Sequence, residues 1–170
     1  PREFDVELDT GGGAISVSDL TSDVEANTSG GRIEIGNITQ GKVIADTSGG
    51  RIEIGDVDGD VEADTSGGAI EIGNVSGRVV ADTSGGSIRI GNVQGDMSAD
   101  TSGGSIDVGQ GGGKVKLDTS GGTIRAAYAI GPISADTSGG NIYLEGSATS
   151  VEADTSGGNI VVERSLGQVE

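Results

Sequence analysis

The chain has 170 residues, of which 34 are glycine and only three are aromatic (Phe4, Tyr128 and Tyr143), with no Cys and no His. That removes thiol chemistry, disulfide staples, imidazole bases and the usual zinc ligands. A net charge of −17 argues against nucleic acid and anionic lipid as partners, and no apolar run approaches the ~18 residues of a membrane span.

The motif Asp-Thr-Ser-Gly-Gly organises everything else. It stands at Asp46–Gly50 and recurs at Asp64, Asp82, Asp100, Asp118, Asp136 and Asp154, each 18 residues on. Asn27–Gly31 carries Asn for Asp, and Asp9–Gly13 is a degenerate copy with Gly11 for Ser. Self-similarity at a fixed period of this length is the signature of a stacked repeat.

In chain order, Pro1–Leu8 reads as the tail of a preceding turn, with Val6 and Leu8 matching Val61 and Ala63. Asp9–Ala26 is the first full turn. Asn27–Ala45 carries one extra residue near Thr39-Gln40, which reads as a small bulge at a corner. Asp46–Ala99 is three near-ideal turns. Asp100–Leu117 replaces the middle Val with Gly111, so looser packing is expected there. Asp118–Ala135 brings Ala126-Ala127-Tyr128-Ala129 and Pro132. Asp136–Ala153 sets Tyr143 on an outward strand position, and Asp154–Glu170 stops one residue short of a full turn. No composition break divides residues 1–170, which read as one domain.

Within the copy Asp82–Ala99, Ile88 and Ile90 alternate with polar residues, and Thr83, Met97 and Ala99 form a second alternating series. Period-2 patterning means strands. The two series have opposite parity, so the phase shifts twice per repeat, at Ser-Gly-Gly and at Gly91-Asn92. Glycine accepts φ > 0, with Asn and Asp next most tolerant, which suits both places to sharp turns. Gly41, Gly59, Gly77, Gly95 and Gly131 allow a further corner. One repeat is thus about three short strands. The fold expected is all-β: a single-domain parallel β-solenoid of about nine 18-residue turns. Three sixes also suit a left-handed triangular coil.

The run Asp-Thr-Ser-Gly-Gly-x-Ile-x-Ile-Gly-x-Val-x-Gly-x-Val-x-Ala resembles the adhesin-type β-helix domain of bacterial cell envelopes, a family of unknown function, over essentially the whole chain. The resemblance implies a right-handed β-helix, a cell-surface or extracellular setting and a non-enzymatic role, with no catalytic residues to carry over. The polymer-forming bactofilins, also uncapped solenoids, are a looser likeness.

Three columns invite a chemical reading. The carboxylates Asp9, Asp46, Asp64, Asp82, Asp100, Asp118, Asp136 and Asp154 would stack in one row, as a cation site would need. The plainer reading is an Asx-type turn in which each Asp accepts N–H bonds from its own Ser-Gly, and Asn27 fits it equally well. The threonines Thr10, Thr28, Thr47, Thr65, Thr83, Thr101, Thr119, Thr137 and Thr155 suggest an ice-binding array. Their parity is that of inward Ala and Val, so hydrogen bonds along the stack are expected instead. The outward row Glu34, Glu53, Glu71, Arg89, Asp107, Arg125 and Tyr143 lacks the paired carboxylates of a glycosidase. It reads as a solvated face, with Glu71, Arg89, Asp107 and Arg125 alternating in sign as cross-strand pairs do.

No catalytic, cofactor or metal residue is assigned, and an enzyme is not expected. The expectation is a structural or adhesin-like solenoid of the bacterial envelope. Pro1 without Met, and no signal peptide, read as a mature or excised segment. Both ends stop in repeat register, which would suit self-association end to end into filaments unless Arg2, Glu3, Asp5, Glu7, Glu163, Arg164 and Glu170 blunt the edges. A cation- or glycan-binding module is the remaining alternative, with a cell-surface polymer as partner.

Overall fold

Alternation of apolar and polar residues over three to five positions is realised as strands that bury every second side chain. A computed structural model describes residues 5–164, 166 and 168–169. Arg2, Glu3, Phe4 and Glu170 lie outside the described residues. A typical turn contributes one five-residue strand, such as Val79–Thr83, and one three-residue strand, such as Ile88–Ile90. The long strands form one ten-stranded parallel sheet and the short strands one nine-stranded parallel sheet, with no helix among the described residues. The expected all-β parallel solenoid of about nine turns is the observed architecture.

Register is strict. Ile88 pairs with Ile70 on one side and Ile106 on the other, and Asp100 lies between Asp82 and Asp118. Equivalent side chains therefore stack in columns. Ile33, Ile52, Ile70, Ile88, Ile106, Ile124 and Ile142 are all at most 1% exposed, forming a continuous spine inside the coil. Val79, Met97, Val115 and Ile133 line the interior from the opposite sheet, with Ala81, Ala99, Leu117 and Ala135 beside them. Small residues at that second column let the two sheets approach closely, so a thin coil excludes water without large aromatic groups.

The third side of each turn is narrower than the strand expected there. It is a single bridged residue, in the column Leu20, Ile38, Val57, Val75, Val93, Gly111, Ala129 and Ser147. Corners crowd it from both sides, as in Asn92-Val93-Gln94-Gly95, and leave only one residue extended. The extra residue of the second turn lies on this side. The pairing offset is 18 at Leu20–Ile38 and 19 at Val24–Val43. Gln40 absorbs it with φ of +56°, a left-handed conformation that non-glycine residues rarely adopt.

Looser packing around Gly111 is not observed. A methyl group at Gly111 would come within 2.3 Å of the Val115 side chain, which leans into the space the missing Val leaves. Leu117 replaces the Ala of its column in the same turn and is fully buried, adding volume where Gly111 removes it. Ser147 fills the same bridged position two turns on. Its hydroxyl donates to the Gly131 carbonyl at 2.6 Å, so a polar group in the core is satisfied.

Candidate functional site

The inward threonines build an internal polar rail. Thr101 Oγ1 donates to the Gly86 carbonyl of the previous turn at 2.9 Å and accepts the Gly104 amide of its own turn at 3.3 Å. The same pair of bonds recurs from Thr28 to Thr155. Thr28 to Thr137 are buried, as their parity requires. The hydroxyls bond to backbone rather than to one another, because each sits over the Ser-Gly-Gly bend whose orphan groups it reaches. The threonine face is closed to ice or any other outside ligand.

The aspartates do not make the turn expected of them. No side-chain bond from Asp46, Asp64, Asp82 or Asp100 to its own Ser-Gly is formed, since strand geometry points these carboxylates outward while the adjacent Thr points at the bend. They form a row of like charges in register along one face. Burial, then Asp46 and Glu62, push the Asp64 carboxyl above its ordinary value. Burial, then Asp100 and Asp64, do the same to Asp82, partly offset by Lys116. Lys116 contacts Asp118 and is raised in turn, chiefly by that hydrogen bond. Among the described residues no group of three acidic side chains converges to hold a metal ion.

A second acidic and amide column, read from sequence only as turn-tolerant residues, proves to be structural. Asp19, Asn37, Asp56, Asn74 and Asn92 each accept the backbone amide of the equivalent residue one turn on, at 2.7–3.0 Å. Asp23, Asp60 and Asp96 do likewise at the next corner. The spacing of 18 was the available signal, since a side-chain oxygen repeated in register necessarily faces the amide above it.

The outward row of the short-strand sheet divides in two. In its first half Arg51 bridges Glu53 and Glu71, and Arg89 reaches Glu71 at 2.8 Å. The alternation of sign expected beyond that point is not realised as ion pairs. Arg125 instead lies over the ring of Tyr143, 5.4 Å from its centroid. Asp107, Arg125, Glu145 and Glu163 form no salt bridge among the described residues.

These unpaired charges surround a hollow of about 320 Å³ in the surface. Val108, Ala126 and Leu144 lie beneath it. Ala126 stands, facing inward, where Ile72 and Ile90 stand in earlier turns. Glu145 and Glu163 occupy the corner position held by Gly73, Gly91 and Gly109 in earlier turns. Sequence reasoning placed Tyr143 outward correctly, at 38% exposed, but treated the row as one solvated face. The departures Ala126, Ala127, Glu145 and Glu163 from an otherwise regular repeat were the signal.

Neither a family model, nor a curated protein, nor a solved structure matches the chain.

Proposed function

We propose that the protein is a non-catalytic structural rod of the adhesin-like type, displayed at the bacterial cell surface or outside the cell. The observation that carries this reading is the unbroken ladder. Both sheets run in register through the described residues, each turn bonded to the turns on either side of it. Ten stacked strands at a parallel spacing of ~4.8 Å give a rod about 43 Å long. Such a body suits spacing, display and contact. The resemblance to the envelope β-helix repeat supports the surface setting, and a net charge of −17 keeps neighbouring rods apart in solution.

Protease treatment of intact source cells, followed by blotting for the rod, tests the reading. Loss of signal without lysis is expected. A signal confined to the cytosolic fraction, or a hydrolase or lyase activity intrinsic to the purified domain, would overturn it.

A further inference from the structure

We infer that the hollow beside Tyr143 is a binding site for an amino sugar carried on a polysaccharide or glycan. Several rules of the repeat lapse together around it. In the first half of this sheet Arg32, Arg51 and Arg89 are tied into ion pairs within or between turns, and the corners at Gly36, Gly55, Gly73 and Gly91 carry a Gly-Asn or Gly-Asp step with its ladder bond. Around the hollow the pairs cease, the ladder stops after Asn92, and glycine gives way to Ala127, Glu145 and Glu163. Local departures of this kind from a self-consistent sequence are where function is placed at the expense of regularity.

The lining selects the ligand class. An aromatic ring beside an exposed aliphatic side chain, rimmed by a few polar groups, is the chemistry of a small-ligand pocket, and about 320 Å³ falls at the small end of that range. Tyr143 and its cross-strand neighbour Val161, 38% and 41% exposed, offer surface to the C–H faces of a pyranose ring. Asp107, Glu145 and Glu163 offer hydroxyl and ammonium acceptors. Set against the single charge of Arg125, these three carboxylates leave the hollow net negative. Uronic acids are thereby repelled and an ammonium is favoured. Arg125 is held over the Tyr143 ring, where it fixes the ring and leaves the carboxylates unneutralised. The site does not depend on the role proposed for the rod.

Titration of the 170-residue chain, followed by amide NMR, tests the inference with three probes: glucosamine trimer, N-acetylglucosamine trimer and galacturonate trimer. Glucosamine trimer should shift resonances of Arg125, Tyr143 and Glu145 first, and bind at least about tenfold more tightly than either other probe. Tyr143→Ala and the pair Glu145→Gln, Glu163→Gln should each weaken it several-fold, with urea midpoints confirming that the variants fold. Glu53→Gln, in the ion-paired half of the same row, should leave binding unchanged. Shifts spread along Asp46 to Asp154, or equal weakening by Glu53→Gln, would mean diffuse attraction to an acidic rod and would overturn the site. So would equal binding of the acetylated trimer, or no shift with any probe at about 10 mM, a concentration that detects even weak binding. Either failure leaves the rod reading standing, since that reading rests on the ladder.

Discussion

The two glycines of Ser-Gly-Gly are not equivalent, although the chain spells them alike. A Cβ at Gly86 would sit 1.9 Å from the Gly68 carbonyl oxygen, a backbone atom with nowhere to move. At Gly85 the nearest atom would be 3.6 Å away, an ordinary contact. Gly86→Ala should therefore cost at least about 3 kcal/mol, as a forced separation of two turns. Gly85→Ala should be neutral, or stabilising by up to about 1 kcal/mol through loss of unfolded-state freedom. Urea unfolding of the two variants side by side checks the contrast, and equal effects would refute it. Thr101 gives a second test at this scale. Thr101→Val keeps the shape but strands the Gly86 carbonyl and the Gly104 amide, at a cost of about 1–3 kcal/mol. Thr101→Ser retains the hydroxyl and should lose distinctly less. The inward placement of threonine was legible from parity alone. The reason for the glycine was not, because sequence suggests a positive φ whereas no Ser-Gly-Gly glycine among the described residues has one. What excludes the side chain is a residue 18 positions away.

At the scale of the element, strands were readable because alternation is a local property, and the single-residue third side was not, because its width depends on how much chain two corners consume. The bulge at Gln40 shows the same limit. Its location followed from counting, but its conformation did not. Gln40→Gly should relieve the left-handed strain and raise stability by about 0.5–1 kcal/mol, read as a higher urea midpoint with an unchanged slope. A decrease would mean that the side chain holds the corner in place. The hollow near Tyr143 belongs to this scale too. It arises from substitutions in three successive turns, none informative alone, which become one feature only when the turns are stacked.

For the whole molecule, charge sets the conditions of stability. Asp64 and Asp82 hold their protons more tightly in the folded rod than in the unfolded chain, because burial and neighbouring carboxylates disfavour the ionised form. A carboxyl raised in the folded state destabilises the fold at neutral pH, and that penalty fades as pH falls through the raised value. The urea midpoint should thus rise as the pH is lowered from 7 toward the ordinary aspartate value and level off there. Asp82→Asn, which copies the Asn already present at position 27, should raise stability at pH 7 and flatten the pH dependence. A midpoint that falls steadily on acidification would contradict this.

The hydrogen bonds between turns run along the same axis that separates Val6 from Val169, the outermost strands of the long-strand sheet. Tension applied between those two points therefore pulls directly against one rung at a time instead of shearing many together. Under load the rod should come apart like a zip, each detached coil of 18 residues releasing roughly 60 Å of extended chain. Stiff against compression yet extensible when stretched, such a body would lengthen in steps instead of giving way all at once.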